Sequence, residues 1–212
     1  MTSPPAPHGP RLRGPRATRT RILEAARQVL GRDPDSGLGA IAEAAGVARR
    51  TVYGHFAGRA ALIEGLAADA AEAVRLTIAA TSAPHPDPAT ALARFVLTLW
   101  PVGDRYRTLI GLARQDLGAR RVSELLAPAR ETVTAILARG QYQGVFHTSV
   151  PPGPLSRALE AHLLALLDSV NSGIWADDGT GAATAALIAA GVDRGVAAST
   201  VRRLHGAPSG TP

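Results

Sequence analysis

Arg49, Arg50, Thr51, Tyr53 and His55 fall within one run of seven residues. Each can donate a hydrogen bond to a phosphate oxygen, and an arginine fork also matches the two acceptors on the major-groove edge of guanine. A run of this kind can read and grip DNA.

Patterns that would do other chemistry fail on context or composition. Gly37-Leu38-Gly39-Ala40-Ile41-Ala42 spells the glycine fingerprint of dinucleotide folds. That fingerprint needs a strand before it and an acid about 20 residues on. Here Asp33-Pro34-Asp35 precedes it, and residues 57–62 contain no acid. The chain has no Cys, which excludes disulfides, thiolate metal sites and cysteine nucleophiles. All 23 basic residues are Arg, so a phosphate-binding loop ending in Gly-Lys and a Schiff-base lysine are excluded too. No G-x-S-x-G elbow occurs, and no two of the six histidines lie within four residues of each other, so no local metal pair exists. Asp177-Asp178-Gly179 reads as a turn. No catalytic residue, metal or cofactor is expected.

The charge is segregated. Residues 1–60 hold ten Arg against four acids, and residues 61–212 hold thirteen against thirteen, so the whole formal charge of +6 lies in the first 60 residues. A basic head on a neutral body suits a nucleic-acid-binding unit joined to one with another task.

The elements that must position these side chains read as helices. Ile22, Ala25, Ala26, Val29 and Leu30 form an amphipathic stripe, and Leu38, Ile41, Ala42 and Ala45 repeat the spacing after a break at residues 33–37. Gly46 stands where a helix end favours positive φ. A short helix over residues 49–56 follows, anchored by Val52 and Phe56 and leaving Arg49, Arg50, Thr51, Tyr53 and His55 on its other faces. Residues 38–56 thus have the grammar of a helix-turn-helix, whose second helix fits the major groove. Further helices are expected near 59–81, 88–101, 104–118, 120–141, 154–175 and 181–204. Only a marginal patch over 144–150 suggests a strand. The predicted fold is all-α: a three-helix DNA-binding head plus a helical body, about nine helices in total.

The predicted organisation is a disordered basic arm over 1–16, the head over 17–60, an effector-binding and dimerisation body over 61–205, and a disordered tail over 206–212. The arm lacks the apolar run of a secretory signal, and the longest apolar stretch, 182–192, is far short of the roughly 18 residues of a membrane helix. A cytoplasmic protein without membrane contact is the expectation.

The run from Arg21-Ile22-Leu23 through Ile41-Ala42-Glu43-Ala44-Ala45-Gly46-Val47 and Thr51-Val52-Tyr53-Gly54-His55-Phe56 to Arg59-Ala60-Ala61-Leu62 resembles the TetR family of bacterial transcription regulators. The resemblance covers about 45 residues; the other ~150 are similar in architecture alone. It implies an all-helical homodimer whose body binds a small-molecule effector that releases a double-stranded DNA operator. Position by position, it implies that Arg49 and Arg50 meet bases or backbone, Thr51 base or phosphate, and Tyr53, His55 and Arg59 phosphate. Ser36 lies near the start of the second helix, a natural phosphate seat, and Arg19 supplies flanking positive charge. Three positions depart from the family pattern: Ala48 and Gly58 replace capping residues, and Gly54 replaces a larger side chain.

In the body, Leu155, Leu159, Leu163, Leu166, Leu167, Val170 and Ile174 form one stripe, and Ala158, Ala161, Ala165, Ser169 and Ser172 a second of small residues. Two apolar faces on one helix exceed what a monomer core needs. Residues 154–175, together with the alanine-rich 181–204, are therefore read as a homodimer interface forming a four-helix bundle. Trp100, Tyr106, Ile110, Arg114 and His162 combine apolar bulk with polar groups, as effector pockets do. A body that contacts a protein partner and holds no effector is the alternative.

Overall fold

In the computed structural model, residues 14–80 and 85–206 are described. The expected arm up to residue 13, the tail from 207 and part of the 82–88 linker lie outside them. All regular elements among the described residues are helices, and the 144–150 patch is turns and bends. The chain divides into two compact units, 1–62 and 63–212.

The head is built from α1 (Pro15–Arg32), α2 (Leu38–Ala44), α3 (Arg49–His55) and the start of α4 (Arg59–Ala80). Helix α1 begins with Pro15 in its first turn, where the missing N–H costs nothing and the fixed φ is already helical. It therefore starts two residues inside the expected arm. Ile22, Ala26, Leu30, Val52 and Leu62 are fully buried, with Ile41, Ala42 and Phe56 almost so. The stripes predicted for these helices face one another, except that Val29 and Leu38 are only half-buried.

The body comprises the rest of α4, α5 (Pro88–Leu117), α6 (Ala119–Leu125), α7 (Ala127–Tyr142), α8 (Pro152–Asn171), α9 (Thr180–Ala189) and α10 (Arg194–His205). Its core joins Leu92, Val96 and Trp100 of α5 to Leu137 of α7, Leu155, Leu159 and Leu167 of α8, and Ala183, Ala186 and Leu187 of α9. Among the described residues the helices are ten rather than nine, and three boundaries differ from the periodicity reading. The expected break near Pro101 is absent, and α5 runs through it. An interior proline costs about 3 kcal/mol, but ten buried side chains along α5 hold it against its neighbours. The segment expected as one helix over 120–141 divides at Leu126, with Pro128 in the first turn of α7. The segment over 181–204 divides as well: Asp193 Oδ1 accepts from the N–H groups of Gly195 (2.8 Å) and Val196 (3.1 Å) and starts α10 afresh.

Candidate nucleic-acid interface and body cavity

Helix α3 is short and uncapped: no side chain bonds its first turn at Ala48. Its placement rests on two other features. Gly46 adopts φ +61°, which a side chain would strain, and the bonds from Gly46 N–H to Glu43 O (2.9 Å) and from Val47 N–H to Ala42 O (3.0 Å) close α2. Val52 and Phe56 then bury one face of α3. The opposite face carries Arg49, Arg50 and Tyr53, all exposed, with Thr51 and His55 at its half-buried margins. The Arg49 guanidinium lies 5.7 Å from the Tyr53 ring centre, so the two side chains form one cationic, hydroxyl-bearing patch. Arg19 of α1 sits 5.1 Å over the Phe56 ring, which ties a second cation to the end of α3.

Two predicted phosphate contacts are engaged within the head. Arg59 donates from Nη2 to Pro34 O at 2.7 Å and from Nη1 to Ser36 O at 3.2 Å. The Ser36 hydroxyl donates to Asp33 Oδ2 at 2.7 Å. Both groups build the loop before α2, and Ser36 faces a carboxylate, which is a poor neighbour for a phosphate.

The body holds a cavity of about 190 Å³ with an almost wholly apolar lining. One wall is the small-residue face of α4, formed by Ala67, Ala70, Ala71 and Val74. Of the five predicted ligand residues, Trp100, Tyr106 and Ile110 line the cavity. Arg114 is exposed on the outer face of α5, and neither it nor His162 is part of the lining. Trp100 donates its indole N–H to Asp177 O at 3.1 Å, and Tyr106 donates its hydroxyl to Asp69 Oδ2 of α4 at 2.8 Å.

Sequence reasoning missed Phe95, Arg130, Ser156 and Glu160 in the lining. Arg130 Nη1 meets Glu160 Oε2 at 2.7 Å across α7 and α8, and the pair is mostly buried, at 13% and 22% side-chain exposure. The two residues are 30 apart on separate helices, so no local spacing announces them. The aspartates at 177 and 178 cap α9: Asp177 accepts from the N–H groups of Gly181 and Ala182, and Asp178 from that of Thr180.

The predicted interface helices divide in character. On α8, Ala158, Ala161 and Ala165 form an exposed ridge. On α9, Ala182, Ala183, Ala186 and Ala190 are fully buried in the body's own core. Their small size serves close packing within the chain, which corrects the reading of these alanines as interface.

Solved structures with this fold include LfrR from Mycobacterium smegmatis in complex with proflavine, 26% identical over 80% of this chain and 92% of that one, TM-score 0.61. RolR in complex with resorcinol is 24% identical over 91% and 97%, TM-score 0.60. The fatty acid degradation regulator FadR from Bacillus halodurans is 18% identical over 88% and 97%, TM-score 0.69. No curated protein matches the sequence. Residues 22–66, the segment that builds the head through α3 and the first turns of α4, match the model of the bacterial regulatory proteins of the tetR family. That segment is a DNA-binding head of the tetR-family type, and the fold of the whole chain is that of the solved regulators.

Proposed function

We propose that the chain acts as a homodimeric, effector-controlled repressor of a near-palindromic operator. The observation that carries this reading is the pairing, in one chain, of an exposed Arg49–Arg50–Tyr53 face on α3 with an apolar cavity in the body. Two copies of α3 would enter successive major grooves about 34–36 Å apart. Thr51, His55 and Arg19 flank the patch and would add phosphate contacts. Arg59 and Ser36 would act by holding the loop before α2.

The dimer would form through the exposed Ala158–Ala161–Ala165 ridge of α8, whose small side chains permit close helix approach, together with the exposed Ile188 and Val196 of α9 and α10. A ligand in the cavity would press on the α4 wall, and α4 carries Arg59 at its first residue. Ligand and DNA would then oppose each other through a coupling of typically 1–3 kcal/mol. That RolR and LfrR were solved with resorcinol and proflavine supports a small-molecule effector for this chain as well.

The test is binding to labelled DNA tiled across the regions flanking the gene, at about 150 mM salt with excess scrambled competitor, because weak binding at low salt is sequence-independent. One tile bound at nanomolar affinity by a dimer supports the reading. Uniform weak binding to all tiles by a ligand-free monomer sinks it.

A further inference from the structure

We propose that the molecule taken by the body cavity is neutral and almost wholly hydrocarbon, about the size of an alkylbenzene. This rests on the effector reading above and names the class of ligand. Size comes from the volume. A dry cavity of about 150 Å³ lined by Leu, Ile and Phe accepts benzene, and this cavity, at about 190 Å³, has room for one ring with a short chain.

Charge comes from the lining. Phe95, Leu99, Ile110, Leu163 and Leu164 present carbon alone. The ionised pair in the wall, Arg130 and Glu160, is closed on itself at 2.7 Å. Arg130 further donates to Ser123 O at 3.0 Å and Ser123 Oγ at 3.3 Å, and the Ser156 hydroxyl is given to Arg130 O at 3.0 Å. The Trp100 N–H is likewise taken, by Asp177.

A charged ligand would lose its water and find no unpaired opposite charge to replace it, which disfavours the ion strongly. Opening the Arg130–Glu160 pair to serve the ligand would strand one buried charge instead. A neutral molecule meets neither obstacle. Its gain is the removal of apolar surface from water.

The experiment is calorimetric titration of the full chain with n-propylbenzene, 3-phenylpropanoate and 3-phenylpropylammonium, which share one ring and one three-carbon chain. Propylbenzene is expected to bind, and both ions at least about 100-fold more weakly. Ala129→Leu, on the α7 wall, is expected to remove propylbenzene binding. Ala70→Leu does the same from the α4 wall, so that one variant folding poorly does not decide the matter. Equal or tighter binding of either ion, no binding of propylbenzene to the folded chain, or undiminished binding to both filled variants overturns the proposal. DNA release is scored in parallel. Propylbenzene that binds but leaves bound DNA in place removes effector control while the ligand class stands.

Discussion

Arg59, the first residue of α4, is bonded to the carbonyl oxygen of Pro34, 25 residues earlier in the chain, at 2.7 Å. With its second bond to Ser36 O, the guanidinium fastens the α1–α2 loop to the start of α4. It thereby fixes where α2, and α3 after it, begins. Arg59→Ala is expected to lower the stability of the head by about 1–2 kcal/mol, the range for a charge-assisted hydrogen bond at a partly exposed site. DNA of every sequence should be bound more weakly. Differential scanning calorimetry beside DNA titration checks this. An unchanged melt with lost DNA binding makes Arg59 a phosphate ligand instead.

On the exposed face of α3, Arg50→Ala is expected to cost about 1–3 kcal/mol in operator binding and to relax base preference at one position of each half-site. Tyr53→Phe removes a hydroxyl donor and should weaken binding to all sequences alike. Titrations against the operator and single-base variants separate the two effects. If neither substitution alters binding at moderate salt, the DNA face lies elsewhere.

Asp87 caps α5 by accepting from Ala89 N–H at 3.3 Å and Thr90 N–H at 3.0 Å. Partial burial pushes its carboxyl upward, but hydrogen bonds from the Thr90 side chain and from these backbone groups outweigh it, and the carboxyl titrates below its ordinary value. A depressed folded-state pKa adds stability above the unfolded pKa and loses it as pH falls through the folded value. Asp87→Ala is therefore expected to cost about 0.5–2 kcal/mol at neutral pH, and the gap to the parent should narrow from about pH 4 downward. Denaturant melts at neutral pH and near pH 3 decide it; a gap that stays constant shows that the ionised cap contributes nothing.

Gly140 on α7 lies against the buried ring of Phe146, and its carbonyl accepts from Val145 N–H at 2.8 Å. A methyl group at 140 would overlap that ring. Gly140→Ala is expected to destabilise the body by about 1–3 kcal/mol through overpacking. Gly39→Ala, a change into open space on α2, is the control and should be neutral or slightly stabilising. Chemical denaturation of the two variants checks the contrast, and equal midpoints would refute it.

Local physics made the head legible. Periodic apolar residues, a glycine with positive φ at 46 and anchors at 52 and 56 are all short-range signals, and the structure places each as the spacing implies. Pro101 shows the limit of such signals. Its local preference argues for a break, but the burial of Trp100, Tyr106 and Leu109 around it is set by helices far away in sequence. The buried alanines of 181–204, such as Ala183 and Ala186, mislead in the same way, because small size alone does not say whether the close neighbour belongs to this chain or to another. The division of that segment was nearer to hand: Gly191 and Asp193 are a helix stop and a helix start two residues apart. Cavity residues such as Glu160 and Arg130 lay beyond reach, since their meeting depends on the packing of α7 against α8.

Trp100 and Trp175, rings 6.1 Å apart and inclined at 72°, are the chain's two tryptophans, and both lie in the body unit. Indole emission excited at the red edge therefore comes from the body alone, whereas far-ultraviolet ellipticity is summed over the helices of both units. Superimposable emission and ellipticity curves on heating would mean that head and body unfold as one. Curves that part would show the head melting while the indole pair still glows as in the native state, so the natural protein is already labelled on one side for measuring its own cooperativity.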